Sequence, residues 1–117
     1  MIKHQFKGVI INISSISRAG NFGQSNYSAS KAAVVAMTTT WSKDLANFGI
    51  RAAAIAPGFI ATEMTDKVPA SVIEVMTKKI PAGRLGQPEE IANGALFILE
   101  NDYFNGRVLE IDGGLRL

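Results

Sequence analysis

Gly8-Val9-Ile10-Ile11-Asn12-Ile13-Ser14-Ser15 is a short β-branched run that ends in two hydroxyl residues. Apolar on both faces, it reads as a parallel strand buried between helix layers. A polar loop with two glycines, Ser17 to Gly23, follows it. A helix is predicted from about Ser25 to Phe48, because Val34, Met37, Trp41, Leu45 and Phe48 recur at helical spacing on one face. Gly49 stands where a left-handed stop belongs. Ile50 to Ala56 reads as a second strand closed by Pro57-Gly58, although alanine is a weak strand former and only the short length and the brackets argue for it. Phe59 to Val68 reads as a loop, Pro69 as the opening of a short helix ending near Lys79, and Gln87-Pro88-Glu89-Glu90 as a stronger helix start running to about Leu99. Gly106 to Asp112 is the third predicted strand, stopped by Gly113-Gly114.

Strands alternating with helices imply an α/β fold with parallel strands joined by right-handed crossovers. Such a sheet is thin, and an edge like Val9-Ile10-Ile11 would leave apolar side chains and ladder groups open, so the chain is expected to be part of a larger sheet. Length and composition fit one partial domain over residues 1–117: 47% of residues are hydrophobic and the formal net charge is +2. That balance argues against disorder and gives little support for nucleic-acid binding. The longest apolar runs, such as Ala52 to Pro57, fall far short of the ~20 residues of a membrane span. Charged residues at the N-terminus do not fit a signal peptide, and a chain without cysteine has no disulfide framework, so a cytoplasmic location is expected. With no cysteine and His4 as its one histidine, the chain has no thiolate nucleophile and no multi-histidine metal centre.

The chemistry-bearing spacing is Tyr27-Ser28-Ala29-Ser30-Lys31. Residues four apart on a helix project from one face. A phenol alone is a poor acid near neutrality, and a neighbouring ammonium favours its ionised form and brings proton transfer within reach. The plainer reading is an amphipathic surface pair. Two other features sit at successive strand ends, where α/β sheets place their ligands: Ser14-Ser15, able to donate to a carbonyl oxygen, and Pro57-Gly58-Phe59-Ile60-Ala61-Thr62, whose glycine permits close approach of a planar cofactor.

Asn12-Ile13-Ser14-Ser15, Tyr27-Ser28-Ala29-Ser30-Lys31, Pro57-Gly58-Phe59-Ile60-Ala61-Thr62 and Asp112-Gly113-Gly114 together resemble the short-chain dehydrogenase/reductases. Ile80 to Ala92, with Arg84-Leu85-Gly86-Gln87-Pro88-Glu89-Glu90, is similar to the branch holding 3-oxoacyl-acyl-carrier-protein and acetoacetyl-CoA reductases. The resemblance implies a doubly wound Rossmann-like sheet, here its C-terminal catalytic half, and NADP(H) or NAD(H) as cofactor. It implies that Tyr27 protonates the substrate carbonyl, that Lys31 supports Tyr27 and holds the nicotinamide ribose, and that a serine orients the substrate. Pro57, Gly58 and Ile60 would line the nicotinamide pocket, and Thr62 would bond the carboxamide or a phosphate oxygen. The family's usual spacing to the tyrosine selects Ser14; strand register and the Asn-Ile-Ser-Ser pattern select Ser15, the preferred choice because deletions fall in loops more readily than in buried strands. Substrates implied are small carbonyls or alcohols, including acyl-carrier-protein or CoA thioesters, and family members form dimers or tetramers.

The family's N-terminal phosphate-binding half has no counterpart in these residues: their glycines spell no Gly-rich phosphate loop. Met1 is accordingly expected to be an internal methionine of a longer parent or the start of a truncated frame. Without that helix-N-terminus anchor for a pyrophosphate, turnover by these residues alone is expected to be poor or nil. The competing expectation is a non-catalytic fragment or an oligomerisation partner of a full-length relative. His4 and Lys78-Lys79 read as solvated, Met37 and Trp41 as core or interface, and Glu89-Glu90 as helix-start electrostatics.

Overall fold

The computed structural model describes residues 1–117. In chain order it contains β1 (Gly8–Ile13), α1 (Ser25–Asp44), β2 (Ile50–Pro57), α2 (Glu63–Asp66), α3 (Ala70–Lys78), α4 (Pro88–Glu100) and β3 (Val108–Ile111), with 3-10 turns at Ile16–Ala19 and Ala46–Phe48. The strands form one sheet in the order β1-β2-β3, both pairings parallel. In register, Gly8 lies beside Ile50, Ile13 beside Ile55, and Ala54 beside Val108.

Strand β2 is the centre of the molecule. Ala52 to Ala56 are all at 0% exposure, so pairing on both sides and cover on both faces hold alanines in a conformation they do not favour by themselves. Ala53 and Ile55 meet Ile98 of α4, with Val9, Ile11, Ile91, Leu109 and Ile111 around them. Full burial of a side chain such as Ile98 contributes about 1.5–3 kcal/mol. On the opposite face Asn12, the register neighbour of Ala54, donates its amide to Thr38 Oγ1 of α1 at 3.0 Å. A second cluster, Ile16, Ile80 and Leu115 with Phe59 and Leu85 against it, gathers the loops after β1, β2 and β3.

Three local readings need adjustment. Helix α1 ends at Asp44, and a 3-10 turn carries the chain to Gly49, whose φ of 70° makes it the left-handed stop. Its inward line runs through Val34, Thr38, Trp41 and Leu45; Met37 and Phe48 are 43% and 48% exposed and leave the expected stripe. Thr38 replaces Met37 there because Asn12 supplies its hydroxyl with a donor. Helix α2 interrupts the expected loop after Phe59: Thr62 N–H donates to Thr65 Oγ1 at 2.8 Å, and that hydroxyl donates back to Thr62 O at 2.7 Å. Strand β3 is shorter than Gly106 to Asp112, since Gly106 turns at φ 68° and the Asp112 carboxylate accepts Gly114 N–H at 2.8 Å.

Strand β1 has no neighbour on its outer side; Gly8 to Asn12 are half-buried, and Ile13 is 48% exposed. The open apolar edge expected of a partial sheet is therefore present. No helix is long and apolar enough to cross a membrane.

Candidate active site

The site is built at the carboxyl ends of β1 and β2. Ser14 prolongs the ladder, its N–H donating to Ile55 O at 2.7 Å. Its side chain is spent internally: Ser14 Oγ, in a residue 2% exposed, donates to Lys31 O of α1 at 2.8 Å. Lys31 returns the connection, Nζ donating to Ile13 O at 3.0 Å. These two bonds of opposite sense strap the end of β1 to the first turns of α1. They hold Lys31 where its ammonium has two further N–H groups to give.

Tyr27 lies one turn earlier on α1, with Lys31 Nζ 5.7 Å from the centre of its ring and 45% of its surface open. Ser15 caps the 3-10 turn that follows β1: its Oγ accepts Ser17 N–H at 3.1 Å. A hydroxyl that accepts in this way keeps its own proton for another acceptor. Arg18 donates to Ser15 O at 3.3 Å and also pairs with Glu110 of β3, which binds Arg116 at 3.1 Å on its other oxygen. The serine turn is thus tied across the sheet end to β3.

On the neighbouring strand, Pro57 closes β2 opposite Ile111, and Gly58 N–H donates to Ile111 O at 2.9 Å. A Cβ at position 58 would lie 2.7 Å from Asp112 Cα. The glycine is therefore required by the close approach of the end of β3, which occupies the space a side chain would take. Ile60 forms an isolated parallel bridge with Gly86, and Thr62 opens α2 with its side chain exposed.

Lys31 is bonded to the end of β1 with Tyr27 beside it, Ser15 follows that strand end, Pro57 and Gly58 close the adjacent parallel strand, and Ile60 and Thr62 lie in the segment beyond. That is the edge where open α/β sheets bind ligands. Hydroxyl, phenol and ammonium of this kind can bind a carbonyl oxygen and pass it a proton. One pair went unread in the sequence. Glu90, assigned to helix-start electrostatics, is also gripped in two-pronged fashion by Arg84, at 2.6 and 2.9 Å. Hydrogen bonds from Arg84 and then from Gln87 N–H hold its carboxyl down at about 2. Only the folded turn between the two residues reveals this pairing, although the arginine stood in the quoted motif.

Residues 1–116 match the family model described as enoyl-(acyl carrier protein) reductase. The chain is 52% identical to 3-oxoacyl-(acyl-carrier-protein) reductase FabG of Thermotoga maritima, an alignment covering 98% of this chain and 48% of that protein. It is 46% identical to human (3R)-3-hydroxyacyl-CoA dehydrogenase, over 98% of this chain and 45% of the relative. Among solved structures, 3-hydroxyacyl-CoA dehydrogenase type-2 from Mycobacterium avium superposes with a TM-score of 0.91 at 38% identity, over 94% of this chain and 43% of that one. The chain thus spans about half the length of the relatives it matches. A family match over nearly every residue, with a relative 52% identical over 98% of the chain, means that the chain belongs to the short-chain dehydrogenase/reductase family of oxidoreductases.

Proposed function

We propose that the chain is the catalytic half of an NAD(P)(H)-dependent reductase that converts a carbonyl, such as a 3-oxoacyl thioester, to the 3-hydroxyacyl product. The observation that carries this reading is the pairing of Tyr27 with Lys31 on α1 while Lys31 is strapped to Ile13 O at the carboxyl end of β1. The residues suit the nicotinamide end of such a cofactor: an ammonium with spare donors, an open phenol, and an exposed Thr62 hydroxyl beyond the end of β2. The bound cofactor supplies hydride; the chain supplies position and a proton. Tyr27 gives its phenolic proton to the carbonyl oxygen, Lys31 balances the phenolate left behind, and Ser15 donates a hydrogen bond to the same oxygen. Ser15 is preferred to Ser14 because the Ser14 proton is committed to Lys31 O. Pro57, Gly58 and Ile60 border the nicotinamide and Thr62 bonds its carboxamide or a phosphate oxygen.

These 117 residues contain no Gly-rich phosphate loop, so turnover by them alone is expected to be poor or nil. The test is reduction of acetoacetyl-CoA by NADPH and by NADH, followed at high enzyme concentration. Slow, cofactor-dependent formation of 3-hydroxybutyryl-CoA that is lost in Tyr27→Phe supports the reading, and equal formation by Tyr27→Phe defeats it. A second reading, as a docking or oligomerisation partner of a full-length relative, draws on the unpaired outer edge of β1 and its exposed Ile13. Binding to such a relative with no turnover of its own would favour it.

A further inference from the structure

Between the segment that carries Ile60 and the start of α4 lies a small cavity of about 80 Å³, walled by Phe59 and Ile60 on one side and Arg84, Gly86 and Glu90 on the other. Two backbone bonds join its walls. Gly86 N–H donates to Phe59 O at 2.9 Å, and Ala61 N–H donates to Gly86 O at 2.8 Å. They flank Ile60, and a Cβ on Gly86 would come within 2.7 Å of Ile60 Cδ1. Whatever sets the backbone at Gly86 therefore sets Ile60, and Thr62 follows directly as the first residue of the α2 cap.

The turn from Arg84 to Gln87 is pinned at both ends. Arg84 reaches both oxygens of Glu90 and also donates to Leu85 O at 3.1 Å, while Glu90 Oε2 accepts Gln87 N–H at 2.7 Å. Both side chains are exposed, at 59% and 38%. An exposed ion pair contributes little to global stability, and the two-pronged geometry here makes it a strut whose effect is local.

We propose that Arg84 and Glu90 are positioning residues for the cofactor segment: their ion pair fixes the turn at Gly86, and the bonds from Gly86 hold Ile60 and Thr62 against the nicotinamide. This rests on the reading that Ile60 and Thr62 face the cofactor. It predicts that breaking the pair loosens Phe59 to Thr62 and leaves the sheet untouched.

The experiment uses the whole 117-residue chain, as wild type, Arg84→Gln, Glu90→Gln and the conservative Arg84→Lys. Amide hydrogen exchange is read at Ala61 and Gly86, with Ala54 in β2 as internal reference. Nicotinamide mononucleotide, the cofactor portion these residues would touch, is titrated while the signals of Ile60 and Thr62 are followed. In Arg84→Gln and Glu90→Gln, Ala61 and Gly86 exchange about fivefold faster with Ala54 unchanged, and the dissociation constant rises about fivefold, the scale of one well-placed exposed pair. Arg84→Lys falls between these and wild type. Unchanged exchange at Ala61 and Gly86, acceleration shared by Ala54, or faster exchange with unaltered affinity overturns the proposal. If the wild type gives no response at Ile60 or Thr62, the cofactor assignment itself fails, and the positioning role with it. The exchange data separate that outcome from a failure of the strut alone.

Discussion

Replacing Ser14 and Ser15 one at a time by alanine separates a structural hydroxyl from a working one. Ser14 Oγ donates to Lys31 O at 2.8 Å from a nearly fully buried position. Inside a helix that carbonyl keeps its ladder partner, so the substitution leaves no orphaned acceptor. The cost is that of one net hydrogen bond, about 1 kcal/mol, which lowers the melting temperature of a domain this size by ~4 °C. Ser15 caps only the short turn Ile16–Ala19, so its replacement costs at most about 1 kcal/mol, confined to that turn. It also removes the donor to the substrate oxygen, and single-turnover reduction of acetoacetyl-CoA by NADPH should fall ~10²-fold. Ser14→Ala should retain most of that rate at a temperature well below its melting point. The paired assay is thermal unfolding by circular dichroism and absorbance at the reduced-nicotinamide band. Loss of turnover in Ser14→Ala with normal turnover in Ser15→Ala would reverse the assignment.

Gly58→Ala is expected to destabilise the chain by about 1–3 kcal/mol, because the new methyl meets the Asp112 backbone rather than a side chain that can move; urea unfolding measures it. The Glu90 carboxyl, held at about 2 first by Arg84 and then by Gln87 N–H, should rise toward its ordinary value of 4.5 without reaching it in Arg84→Gln when followed by carbon NMR. Because the folded value is the lower one, the pair's contribution is complete above about pH 4.5 and is lost as the pH falls through 2. Ile98→Ala should cost ~2–5 kcal/mol in the same urea assay, since it empties the centre of the α4 face of the sheet.

Much of this was legible because periodicity and strand-end motifs are local signals. The run Gly8 to Ile13, the Gly49 stop and the Gln87-Pro88 start appear in the structure where the pattern put them. The alanine strand was marked by its brackets, and only its place between two partners explains why it is a strand. Thr38 on the inward face of α1 was hidden because its reason, a donor from Asn12, is a contact between elements. Helix α2 was missed since its cap uses a threonine where a carboxylate or amide is the usual signal. Tyr27 and Lys31 were readable from spacing; the fates of the two serines were not, because a hydroxyl's partner depends on which carbonyl or N–H the fold brings to it. Gly58 was read for the close approach its backbone allows a cofactor, and the close approach of the Asp112 backbone on its Cβ side is a contact between elements that the sequence did not show.

Transfer of deuterium from 4-deuterated NADPH to acetoacetyl-CoA, read by mass spectrometry of the product after prolonged incubation with wild type and with Tyr27→Phe, bears most directly on the phenol and ammonium at the end of β1. Slow appearance of label at C3 with the wild type, and its loss with a variant that melts at the same temperature, is the expected result. Equal labelling by Tyr27→Phe would contradict it.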